Sequence, residues 1–209
     1  MEPHFVAIPE SQIMSDAVIH LAPPLDAAPP INPRNLLWVA AAVLALIVVI
    51  TIDNVWLLNF VHVMSGVLWT GIDLFMGFVI GPILGRVAPP ARRAIVLRLM
   101  PKMLFLMPTL ALLTGTAGYY HAKQIGLLDT PWPQFGWVVA ALVLIAILTV
   151  QGLGLLLPTN LRVYLELRRP QPDIARIKRL TRSYVRLVAF QGILQVCMIV
   201  VMAKFVTGL

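Results

Sequence analysis

Apolar residues in this chain come in long unbroken runs, without the one-faced stripe of a soluble amphipathic helix or the alternation of a half-buried strand. Five runs stand out, at about residues 36–52, 56–84, 103–121, 135–157 and 184–205. Each is near or above the ~20 residues that a helix needs to cross a bilayer. Lipid offers the backbone no hydrogen bonds, so the spans must be helical. The pattern predicts an all-α fold, an integral membrane bundle of about five transmembrane helices. The second run is too long to stand straight in the membrane, and Gly77, Gly81 and Pro82 are its expected bend points. Asp53-Asn54 leaves room only for a tight turn, so the first two spans form an antiparallel hairpin.

The first 35 residues break the pattern. Pro23-Pro24, Pro29-Pro30 and Pro33 lie among scattered acidic residues, and neither the basic nor the apolar part of a cleavable signal peptide is visible. The expected organisation is a proline-rich tail over 1–35, with a short interfacial helix near 8–21, and a five-helix transmembrane domain over 36–209. The whole chain is 59% hydrophobic and 12% charged, about half the charge of a soluble domain, so the lipid bilayer is its expected surrounding. The lone Cys197 excludes a disulfide framework and a multi-cysteine zinc site, and reads as a small buried hydrophobe.

The net charge of +7 would suit nucleic acid if it were spread over the surface. It is not. Arg86, Arg92, Arg93, Arg98 and Lys102 lie between spans two and three, and Arg162, Arg168, Arg169, Arg176, Lys178, Arg179, Arg182 and Arg186 lie around the junction of spans four and five. The positive-inside rule explains that asymmetry without nucleic acid. It places the chain in the cytoplasmic membrane with the tail cytoplasmic and the C-terminus outside. Trp56, Tyr119, Tyr120, Trp132 and Trp137 then gather at the outer interface.

Candidate chemistry concentrates in the second span, where His62 and Asp73 interrupt an apolar run. Ionisable groups within a span usually face a partner, a cofactor or a cavity. His62, Gly66, Trp69, Asp73 and Gly77 follow one another at three- and four-residue steps, so they share one face, which is directed into the bundle. His62 is a candidate metal ligand, for haem iron or copper. His121, at the end of the third span, is a candidate second ligand if a bend at Pro108 brings it down. Gly66 and Trp69 would flank the cofactor. Asp73 is the candidate catalytic group, as a proton relay, or is held by a structural partner among Lys102, Arg186, Gln191 and Gln195. The glutamines read as interhelical hydrogen-bonding residues. The methionines read as core filler, although Met64, Met100, Met103 and Met107 carry thioethers that suit Cu(I) or haem.

His62, six residues, Trp69, one residue, Gly71 and an apolar run to Pro82, followed by a basic loop and Pro108 to Gly118, resemble the signature helices of CopD-like and HemJ-like membrane proteins. The likeness covers about residues 55–121. It implies a bundle that binds b-type haem or copper, with His62 as axial ligand. It implies protoporphyrinogen oxidation in the HemJ-like branch and copper uptake in the CopD-like branch. The chain departs from the pattern at Ile72, where a glycine is usual, at Asp73, and in its fifth span and tail. The leading expectation is a haem-binding redox protein exchanging electrons with a quinone or a membrane redox subunit, in a homo- or hetero-oligomer. Copper handling along His62, Met64 and Asp73, or a non-catalytic anchoring role in a larger complex, are the alternatives.

Overall fold

The computed structural model describes residues 31–169 and 171–208. The expected tail, but for residues 31–35, and the short helix expected near 8–21 lie outside the described residues. The described residues hold five long apolar helices and no strand: α1 (Asn35–Ile52), α2 (Val55–Arg86), α3 (Pro89–Gln124), α4 (Phe135–Leu167) and α5 (Ile174–Val206).

Local chemistry sets the helix ends. Asp53 closes α1 in the left-handed region at φ 54°, and Asn54 caps α2 by accepting the Leu57 N–H at 3.1 Å. The expected α1–α2 hairpin turn is thus made by two residues. The Gln124 side chain at the end of α3 donates to both the backbone and side-chain oxygens of Asp53, tying that turn to α3. Pro89 and Pro90 start α3, where a missing N–H costs nothing. Asp173 caps α5 through the Arg176 N–H at 3.0 Å.

Three helices are longer than the apolar runs suggest. α3 starts at Pro89, so Arg92, Arg93, Arg98 and Lys102 lie on helix where a loop was expected. α4 runs on to Leu167 and α5 starts at Ile174. At 1.5 Å per residue, the 36 residues of α3 extend about 54 Å against an apolar core of about 30 Å. The apolar runs mark the lipid-embedded part alone, and the helices project beyond it as basic, water-facing turns.

The bend expected in α2 is a single widened turn. Residues Met76–Ile80 are π-helical, and the Gly81 N–H reaches back to the Met76 carbonyl. α4 repeats the device at Gly152–Leu156, where the Leu157 N–H reaches Gly152. A proline stands two residues past the end of each wide turn, Pro82 or Pro158. Proline brings no N–H and crowds the carbonyl four residues back, and one wide turn before it accommodates the fault.

α3 is the central helix: α1 and α2 pack along it, and the lower part of α4 reaches it. α5 packs on α4 and α2. Trp69 of α2, Leu110 of α3 and Leu148 of α4 form the buried cluster, with Leu194 and Met198 of α5 against it. Elsewhere the apolar surface faces outward, as in Phe78 at 78% and Val150 at 69% exposure. A soluble protein does not carry that much apolar surface, and a lipid-embedded one does. Cys197 is among the outward residues, contrary to the expectation of burial, because α5 meets its neighbours along Gln191, Gln195 and Met198.

Charge locks the basic end. Arg93 of α3 donates through Nε at 2.9 Å and Nη2 at 2.8 Å to the Leu167 carbonyl, the last of α4. Glu166 is 3% exposed and pairs with Arg169 at 3.1 Å and Arg176 at 3.4 Å. Arg93→Leu is expected to cost about 1–2 kcal/mol and to expose the α4–α5 connection. Limited proteolysis in detergent checks this, with faster cutting near residues 168–173 as the expected result.

Candidate functional site

From His62 to Asp73 the predicted face of α2 lies against the bundle, whereas Gly77, within the π-helical turn, is exposed; the face carries two polar sites. Along the axis they lie 11 residues apart, about 16 Å.

The first is built on His62. Its Nδ1 lies 2.9 Å from the Thr114 carbonyl of α3. A carbonyl only accepts, so Nδ1 carries the proton and donates, which leaves Nε2 with a free lone pair. The ring lies so close to α3 that a Cβ at Gly118 would sit 2.5 Å from Nδ1 and 2.6 Å from Cε1. Only glycine admits the imidazole there. Below it, the Thr114 hydroxyl donates to Ser65 Oγ at 3.0 Å, and Ser65 donates in turn to the Val61 carbonyl at 2.5 Å. These bonds fix α2 against α3 over the turn that carries the histidine.

His121 lies one turn beyond Gly118 on α3, close enough to His62 for their charges to interact. Its Nδ1 is buried with no hydrogen-bond partner. α3 continues as helix through Pro101 and Pro108 on the way to His121. Among the described residues, no group of three or more His, Cys, Asp or Glu side chains is placed to hold a metal ion.

Gly66 and Trp69 have other duties. A Cβ at Gly66 would meet Thr114 Cγ2 at 3.3 Å, and Trp69 is 5% exposed in the core cluster. The seam between α2 and α3 is close there, and both positions pack helix against helix. Met64 is 44% exposed and points away from the bundle.

The second site is built on Asp73. Its Oδ2 accepts from Gln191 Nε2 at 2.5 Å and from Gln195 Nε2 at 2.8 Å, both on α5. The expected alternative partners take no part: Lys102 and Arg186 are exposed, and the ion pairs among the described residues are those of Glu166. Gln151 of α4 joins the same level by donating to the Leu187 carbonyl at 2.6 Å, one turn from Gln191. One turn from Leu187 on α5, Tyr184 lies near Asn160 of α4. Sequence reasoning missed Gln151, Asn160 and Tyr184. The available signal was a polar side chain interrupting the apolar run of α4 at Gln151.

Five spanning helices, two buried polar clusters and an outward apolar surface define a multi-pass helical membrane protein. Comparison with family models, curated proteins and solved structures returns no match.

Proposed function

We propose that this chain is a redox protein of the cytoplasmic membrane that binds b-type haem through His62. The observation that carries the reading is the Nδ1 bond from His62 to the Thr114 carbonyl. A neutral imidazole oriented by a carbonyl at one nitrogen presents the other as a metal ligand, the usual arrangement at histidine-ligated metals. The donor set fits iron: one imidazole has its tautomer fixed, and a second, His121, has a buried unpartnered nitrogen one turn from Gly118. The resemblance of residues 55–121 to CopD-like and HemJ-like helices points the same way.

Haem, when bound, supplies one-electron exchange at iron, with a quinone or a partner subunit as the other party. The chain's own residues orient the ligand and keep it dry. Thr114 holds the ring angle, Gly118 lets the ring approach α3, and Ser65 locks the turn beneath. By the positive-inside rule the arginine-rich ends of α3, α4 and α5 are cytoplasmic, which puts His62 and His121 toward the outer face. The copper reading is weaker, since Met64 faces away from His62 and Asp73 lies about 16 Å along the helix.

The test is an optical spectrum of the full chain, purified in detergent from cells supplied with a haem precursor. The expected result is a Soret band that sharpens on reduction in the wild type and is lost by at least tenfold in His62→Ala. A colourless wild type ends the proposal.

A further inference from the structure

The Asp73 site is independent of His62, and its atoms are incompletely matched. The carboxylate receives amide donors on Oδ2, and among the described residues no cation pairs with it. The carbonyl oxygens of the same amides are orphaned. Oε1 of Gln191, Gln195 and Gln151 is in each case buried without a partner, on side chains that are 4%, 2% and 4% exposed. Buried polar atoms in native proteins are nearly always satisfied, and in lipid neither water nor an alternative backbone group is at hand. Three glutamines from two helices, all lacking an acceptor's partner at one level of the bundle, and a carboxylate lacking a counter-charge are two separate deficits.

One kind of ligand answers both. We propose that Asp73, Gln151, Gln191 and Gln195 form an intramembrane site for a small monovalent cation, proton or sodium. Positive charge neutralises the carboxylate. A hard cation takes oxygen ligands, and carboxylate with amide carbonyls is such a set once the amides, which present Nε2 to Asp73 in this structure, turn over. As a proton, the charge resides on Asp73 itself, whose hydroxyl then donates to an amide oxygen once the facing glutamine turns over its amide. Asn160, whose Oδ1 is likewise buried and unpartnered, and Tyr184, two turns from Gln191 on α5, continue the polar line toward the basic end. The titratable neighbours are few: Tyr184 of α5 is close enough to Asp73 for their charges to interact, Arg186 and Lys102 are exposed, and α4 contributes only neutral amides at this level.

Thermal unfolding of the full chain in detergent tests this, comparing wild type with Asp73→Asn at acid and alkaline pH, in sodium chloride and in choline chloride. The expected result is a wild-type unfolding temperature that depends on one of these variables and a variant that has lost that dependence. Loss of a pH dependence identifies the proton, and loss of a sodium dependence identifies sodium. Equal dependence in both proteins on both variables overturns the site. If Asp73→Asn does not fold, carbodiimide labelling of wild-type Asp73 in liposomes decides. A several-fold slower reaction at alkaline pH or in sodium supports the site, and a rate unchanged by either overturns it. Neither readout depends on haem, so this proposal and the haem proposal fail separately.

Discussion

Gly118→Ala is expected to be the most damaging single methyl group in the molecule. The added Cβ would meet the His62 ring at 2.5 Å, far inside van der Waals contact, and an imidazole has no flexible end to fold away. The ring must leave α3 and give up its bond to Thr114. Overpacking costs about 1–3 kcal/mol, and the lost hydrogen bond adds about 0.5–1.5 kcal/mol. Gly115→Ala is the matched control. Three residues away on the same helix, its Cβ would meet Ile145 Cγ1 at an ordinary 3.7 Å, and alanine is the better helix former by ~1 kcal/mol. Unfolding in detergent should therefore separate the two variants by several kcal/mol, with Gly115→Ala at or above wild type. Equal effects would mean that His62 does not rest on Gly118.

The second large effect is Gln191→Leu. It strips a donor from a buried carboxylate, and a hydrogen bond to a charged group is worth about 1.5–3 kcal/mol. Interhelical bonds between neutral groups in membranes average only ~0.6 kcal/mol, so a cost well above that value marks Asp73 as charged. The sign of a second substitution is more telling. Asp73→Leu removes a carboxylate whose insertion costs ~2.5–3.5 kcal/mol, so added to Gln191→Leu it should recover stability. A double-mutant cycle of the two positions measures the coupling. If Asp73→Leu deepens the loss, the carboxylate is not the group that the glutamine serves.

Much of this fold was legible because lipid imposes simple rules. Five apolar runs gave five helices, and Asp53-Asn54 gave the hairpin turn. The three- and four-residue steps from His62 to Asp73 gave the inward face of α2, and the π-helical turn at Met76–Ile80 leaves Gly77, the last of the predicted face, exposed. What was not legible lay where helices leave the lipid or meet one another. Hydropathy drops at Arg92 and Arg98, yet the backbone stays helical, since arginine is a good helix former. The end of lipid is not the end of hydrogen bonding. The partners of His62 and Asp73 depend on how α2 is rotated against α3 and α5. From the sequence Gly66 looked like the cofactor's approach and Gly118 like routine packing. In the structure Thr114 fills the space at Gly66, and Gly118 carries the imidazole. Gln191 and Gln195 were recognised as one face of α5, but their convergence on a single oxygen of Asp73 was a fact of tertiary register.

The same register makes the account's central claim, that His62 offers Nε2 to iron, open to one direct measurement. His62→Gly removes the imidazole and leaves its space beside Gly118. The optical spectrum of that variant, purified with haem, is recorded before and after adding free imidazole. The account predicts that the Soret band of the wild type is missing from the variant and returns with imidazole. A variant that keeps the wild-type band without imidazole would contradict it.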